Sequence, residues 1–164
     1  MNLYIVRHGI AVDVGVGGVR RDADRCLSDE GRQKTLAVGQ GLKNLGVKPE
    51  VLLTSPLVRA RETAELIASV HNPALPVEIS DSLAPGGDFM ELVRSLNERT
   101  AAEVMWVGHM PEVSEWVSLF IGGGTNLSFT FKRAAVACIR FGGSPRVGGG
   151  RLDWLIPPGV LRKA

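Results

Sequence analysis

Short apolar runs alternate with longer amphipathic stretches along this chain. Tyr4-Ile5-Val6 is a run of strand formers that ends abruptly in Arg7-His8-Gly9. A polar, glycine-rich loop follows as far as Leu27. Ser28, with Asp29 and Glu30 behind it and Gly31 three residues on, predicts a helix start whose acids suit the dipole. Val38, Leu42 and Leu45 recur at i, i+4, i+7, and Gly46 closes that helix. Val51-Leu52-Leu53-Thr54 is a second buried strand, stopped by Ser55-Pro56. Pro56 suits the first turn of a helix whose inner stripe is Ala60, Ala64, Ile67 and Ala68. Pro76-Val77-Glu78-Ile79 is a weaker third strand, and Phe89, Leu92, Val93 and Leu96 mark another amphipathic helix. Val104-Met105-Trp106-Val107 is the next strand, ending in Gly108-His109. Pro111 opens a helix with Val113, Trp116, Val117 and Phe120 on one face. Two strands, near Ala135-Phe141 and Leu152-Ile156, complete the series across a glycine-rich, hairpin-like link.

Strands alternating with helices of ten or more residues predict βαβ units, an α/β fold class and a largely parallel sheet covered on both faces. The last two strands are joined too tightly for a crossover helix, so one of them is expected to run antiparallel.

Composition narrows the functional classes. A chain of 164 residues suits a single domain, 1–164, that buries roughly 70% of its unfolded surface without a disulfide or metal staple. Nineteen basic and seventeen acidic residues leave a net charge of +2, too little for a general nucleic-acid or membrane-surface binder. Cys26 and Cys138 lack C-x-x-C spacing and neighbouring histidines, which argues for a reducing compartment and against zinc. The apolar start before Arg7 is too short for a signal peptide, and no run approaches a membrane span. A soluble cytoplasmic protein is expected, with neither nucleic acid nor membrane as a partner. Glycine is enriched, at 20 residues, but no phosphate loop or dinucleotide fingerprint is formed.

The chemistry gathers at strand ends. In an open α/β sheet, ligands bind beyond the carboxyl ends of the strands. Here apolar strands end in Arg7-His8, in Ser55 with Arg59 one turn on, and in His109. If those strands are neighbours, two guanidinium groups and two imidazoles meet above the sheet, close to the helix starts at Pro56 and Pro111. Such a cup suits a compact dianion, and phosphate fits best. A metal on His8 and His109 fits poorly, because Arg7 and Arg59 would repel a cation. Structural roles compete with these readings. Arg59 has Glu62 within reach on its own helix. His109 can be a buried histidine bonded to a backbone carbonyl. His71, past a helix end, needs no function. Trp106, Trp116 and Trp154 read as core rather than as a ligand platform. Arg7-His8 is the pair that packing explains least.

These blocks resemble those of a known family. Arg7-His8-Gly9 after an N-terminal strand is similar to the R-H-G signature of the histidine phosphatase, or phosphoglycerate mutase-like, superfamily. The segment from Thr54 to Thr63 resembles its S-P-x-x-R-A-x-x-T block, and Gly108-His109-Met110-Pro111 its G-H-x-P block. The likeness extends to the SixA-type phosphohistidine phosphatases through Arg7 to Ala11, Leu27-Ser28-Asp29-Glu30-Gly31, the L-x-P-x-G-D segment Leu83 to Asp88, and Trp154 with Pro157. Ile10 departs from the pattern, since relatives often carry an acid there. The resemblance implies a three-layer α/β/α sandwich with a six-stranded, mostly parallel sheet and one antiparallel strand.

It also implies roles. His8 is the nucleophile, forming a covalent phosphohistidine that water hydrolyses. Arg7 and Arg59 hold the phosphoryl oxygens. His109 is a further donor, charged when phosphate is bound, and Ser55 and Gly9 contribute to substrate binding. Asp88 is the best candidate general acid, ahead of Glu91 and Glu112, though it also reads as an N-cap. No cofactor is required. The substrate so implied is a histidine-phosphorylated phosphotransfer or signalling protein, with inorganic phosphate as product. A small-molecule phosphomonoesterase or mutase, and a non-catalytic phosphate-recognition module, are the alternatives. The surface helices show no sustained heptad, so a monomer is expected.

Overall fold

The computed structural model describes residues 1–164. Its centre is β1 (Asn2–Arg7), an apolar strand whose side chains alternate between two buried layers. Leu3 and Ile5 face one side, where α3 (Phe89–Asn97) and α4 (Glu112–Gly122) cover the sheet. Tyr4 and Val6 face the other, which is covered by α1 (Asp29–Asn44), α2 (Val58–His71) and a short C-terminal helix, α5 (Pro158–Leu161). The remaining strands are β2 (Val51–Thr54), β3 (Val77–Ile79), β4 (Glu103–Gly108), β5 (Val136–Phe141) and β6 (Gly150–Ile156). The result is the three-layer sandwich anticipated above.

The six strands lie in the order β3-β2-β4-β1-β5-β6. β5 pairs antiparallel with both β1 and β6, and the other pairings are parallel, so β5 is the one reversed strand. Neighbouring β1 and β4 send the chain to opposite faces, β1 toward α1 and β4 toward α4. That divergence opens a crevice at their carboxyl ends.

Local chemistry fixes the helix boundaries. The Ser28 hydroxyl accepts the Gly31 N–H at 3.0 Å and caps α1. The Asp88 carboxylate accepts the N–H groups of Met90 and Glu91 and caps α3. Beyond α1, Gly46 takes φ +81° in the turn toward β2. Pro56 does not enter its helix as expected. The Ser55 hydroxyl accepts the Leu57 N–H at 3.3 Å, which makes residues 55–57 a turn and delays α2 to Val58. His71 is the last residue of α2 rather than a residue beyond it. Burial, then Lys43, lowers its pKa, so no cation is favoured there. Trp106 and Trp116 pack edge to face in the core at 5.9 Å. Trp154 lies half-buried on the outer strand β6, 5.9 Å from Tyr4. No helix is long and apolar enough to cross a membrane.

The four-residue α5 is too short to show a helical period in the sequence. It packs on α1 through Gly41, where an added Cβ would lie 1.8 Å from the Leu161 carbonyl oxygen. Gly41→Ala is therefore expected to destabilise the fold by about 1–3 kcal/mol despite alanine's better helix propensity, measured as a lower urea midpoint with unchanged m.

Candidate active site

Strand register brings the polar ends together. Arg7 of β1 lies opposite Gly108 of β4, and Thr54 of β2 opposite Val107. Each strand adds one more backbone bond past its end: the His8 N–H donates to Gly108 O at 3.0 Å and the Ser55 N–H to Val107 O at 3.1 Å. His8 and His109 thus leave adjacent strands side by side, with ring centroids 5.1 Å apart. Arg59 reaches in from the first turn of α2, and its Nε donates to His8 Nε2 at 3.3 Å. Three of these side chains are almost completely enclosed, at 8% exposure for His8, 5% for Arg59 and 3% for His109.

The proton on His8 can be placed by its partner. Its Nδ1 lies 2.7 Å from the Gly9 carbonyl oxygen, which can only accept. Nδ1 therefore carries the hydrogen, and the unprotonated Nε2 accepts from Arg59 Nε at the crevice. Burial first of all lowers the His8 pKa to about 3. The Gly9 bond opposes the shift, while His109, Arg59 and Arg7 reinforce it. Burial likewise lowers His109 to about 4, with Arg59 and Arg7 adding to it and Asp22 opposing. Both rings are neutral at neutral pH without a bound anion.

Each remaining predicted residue has a defined place. The Ser55 hydroxyl lies 2.8 Å from His109 Nε2. Its N–H is already committed to β4, so only the hydroxyl remains for the site. Gly9 turns both polar groups inward, its carbonyl to His8 and its N–H to Thr63 Oγ1 at 3.0 Å. A Cβ at Gly9 would lie 2.5 Å from Thr35 Oγ1, so the turn requires glycine. Arg7 makes no direct bond to the imidazoles. Its Nη1 donates to Phe131 O at 2.6 Å, and its charge is felt at both rings. Arg7 Nε and His109 Nδ1 are buried without a protein partner. Uncommitted nitrogens of this kind favour an anion. No group of three or more His, Cys, Asp or Glu side chains is placed to hold a metal.

Two of the three candidate acids are engaged elsewhere, Asp88 in capping α3 and Glu91 in a pair with Arg94 at 2.6 Å. Glu112 Oε1 accepts the Gly86 N–H at 3.1 Å, while its Oε2 is buried without a partner. Arg59 does not pair with Glu62 as its spacing suggested. Glu62 instead accepts the Leu27 N–H and the Arg32 guanidinium, tying the glycine-rich loop to α2. Arg59 is held by Asp22, whose backbone oxygen accepts from Nη1 at 2.7 Å and whose carboxylate accepts from Nη2 at 2.9 Å.

Two residues with positions in this site were not singled out by sequence reasoning. Asp22 sits in a 3-10 turn, Asp22–Asp24, with no periodicity to flag it. Its lone signal was being an acid in a loop that follows the R-H-G block. Thr63 accepts from the Gly9 N–H and donates to Arg59 O at 2.7 Å, joining the end of β1 to the first turn of α2. Its signal was its place in the second block, eight residues after Ser55.

A family model for the histidine phosphatase superfamily (branch 1) matches residues 3–118. The chain belongs to that superfamily. An uncharacterised protein of Picosynechococcus is 36% identical over 145 residues, covering 87% of this chain and 86% of its own. Phosphohistidine phosphatase SixA of Escherichia coli is 29% identical over 168 residues, covering 100% of this chain and 98% of its own. The solved structure of the protein histidine phosphatase SixA complexed with tungstate superposes with a TM-score of 0.85 at 27% identity, over 98% of this chain and 99% of that one. The fold is thus that of SixA, and the protein is a phosphatase of the histidine phosphatase superfamily.

Depressed imidazole pKa values have a sign that stability measurements can read. Below about pH 6.5 the unfolded chain protonates these histidines while the folded chain does not, so acid favours unfolding. Unfolding free energy is expected to be nearly flat from about pH 7 to about pH 8 and to fall between about pH 6.5 and 4. Each ring contributes a slope of up to about 1.4 kcal/mol per pH unit. His109→Gln should flatten that fall in urea titrations at successive pH values.

Proposed function

We propose that this phosphatase hydrolyses the phosphoramidate of a histidine-phosphorylated protein through a covalent intermediate on His8. The reading is carried by one observation: the Gly9 carbonyl fixes the His8 proton on Nδ1, leaving Nε2 as a nucleophile beside a guanidinium. Its low pKa keeps that lone pair available at neutral pH. Full-length similarity to SixA supports the substrate class.

In the first step Nε2 of His8 attacks phosphorus, the new P–N bond forms, and the substrate's P–N bond breaks. A phosphohistidine protonated on its other ring nitrogen leaves as neutral imidazole, whose conjugate acid has a pKa near 6.5. An alkoxide leaving group would instead need a positioned proton donor. The engagement of Asp88 in a cap and of Glu91 in an ion pair favours the easier leaving group, and Glu112 is the one candidate acid with a buried oxygen left unpartnered. In the second step water attacks phosphorus, the bond to Nε2 breaks, and orthophosphate departs with the proton balance restored to solvent.

Arg59 Nε, Arg7 and His109 stabilise the equatorial oxygens. A phosphoryl dianion between them offsets the burial that keeps His109 neutral, so His109 takes up a proton as substrate binds. Ser55 orients its ring, and Asp22 and Thr63 position Arg59. No cofactor takes part. The chain acts as a monomer.

Rapid quench with a 32P-labelled phosphohistidine peptide is expected to trap an acid-labile, alkali-stable phosphoenzyme in wild type and none in His8→Ala. Turnover should fall on the order of 10³-fold or more in His8→Ala, and about 10²- to 10³-fold in Arg59→Ala. Much faster hydrolysis of a sugar phosphate or p-nitrophenyl phosphate than of phosphohistidine would overturn the substrate assignment.

A further inference from the structure

Next to the catalytic crevice lies a cavity of about 420 Å³ with an unusual lining. Ten residues form it; Arg7, Lys34, Lys132, Arg133 and Arg162 are among them, and none is acidic. Five cations meet here in a chain whose net charge is only +2. Lys34 has a partner in Glu30, one helical turn away. Lys132, Arg133 and Arg162 are exposed and have no carboxylate within ion-pair distance, whereas most other arginines of the protein do. Like charges are left facing one another. Arg133 adds to burial in lowering the pKa of Arg7.

The cationic wall is fixed to the catalytic strand. Ala134, directly after Arg133, takes φ +63°, a left-handed conformation that an alanine rarely adopts. Its N–H is shared between the carbonyls of Arg7 and His8, at 3.0 and 3.1 Å. Lys132 and Arg133 are thereby set at a constant offset from the nucleophile. Arg7 is common to both places, lining the cavity while its charge acts on His8 and His109.

We propose that this cavity is a docking site for an acidic segment of the protein that presents the phosphohistidine. This rests on the function proposed above and extends it to how the substrate is chosen. Charge complementarity selects the occupant. Exposed lysines and arginines on long stems steer an acidic surface and release it readily, as repeated turnover of a protein requires. A small anion bound for its own sake is held instead by buried, pre-set donors, and here three of the five cations stand at the solvent rim.

The test uses the full chain and two synthetic peptides with one phosphohistidine each, flanked by Asp and Glu in the first and by Ser and Gln in the second. Wild type is expected to show a kcat/KM about tenfold higher on the acidic peptide at low ionic strength, and the difference should vanish in high salt. Lys132→Glu combined with Arg162→Glu changes two exposed positions outside the catalytic set. It should abolish or invert the preference while kcat/KM on the neutral peptide stays within about twofold. Equal kcat/KM on the two peptides in wild type, or equal losses on both in the double variant, would overturn the docking site. Anisotropy of a fluorescein-labelled Glu-rich peptide lacking phosphohistidine separates this inference from the reaction itself. If neither phosphopeptide is hydrolysed, the proposed substrate is wrong. Salt-sensitive binding of the labelled peptide that the double variant loses would then still sustain the docking site, and no such binding would overturn it.

Discussion

The site depends on keeping one imidazole out of water and uncharged beside a guanidinium. Burial does most of this, and the cations nearby add to it. A histidine in water would spend part of its time protonated at neutral pH, with its lone pair lost. Enclosure by the ends of β1 and β4, with Gly9 O fixing the tautomer, removes that loss. The same enclosure leaves Arg7 Nε and His109 Nδ1 without protein partners, so the neutral imidazole and the anion-seeking donors share one cause.

Topology supplies the enclosure. β1 and β4 are parallel neighbours whose chains depart to opposite faces, and His8 and His109 are the first residues beyond them. β2 adds Ser55 on the far side of β4, and α2 carries Arg59 back over the crevice. The reversed strand β5 contributes differently. Its lead-in at Ala134 locks onto the Arg7 and His8 carbonyls and carries the cationic wall with it. One sheet end thus combines a small, enclosed pair of imidazoles with a broader cationic wall.

Much of this was legible in the sequence because it was local. Apolar runs that stop at Arg7-His8, Ser55 and Gly108-His109 mark strand ends without any knowledge of pairing. The caps at Ser28 and Asp88 follow from side-chain chemistry a few residues long. Tertiary placement decided the rest. Glu62 lies three residues from Arg59, and spacing alone pairs them. The loop that ends at Leu27 claims Glu62 for its own backbone, and Asp22, thirty-seven residues away, takes the arginine. Helix α5 was missed because four residues carry no period, and Pro56 was placed too far into α2 because the Ser55 turn lies outside propensity.

The grip of Asp22 on Arg59 has a consequence for communication across the surface. Each terminal nitrogen of that guanidinium gives one N–H to the same solvent-facing turn, one to a backbone oxygen and one to a carboxylate, and keeps a second. An oxyanion that takes either remaining N–H shares the cation with Asp22, so its arrival sets two negative groups on one guanidinium and weakens the hold on the turn. The turn becomes a visible flag for an event buried beneath it.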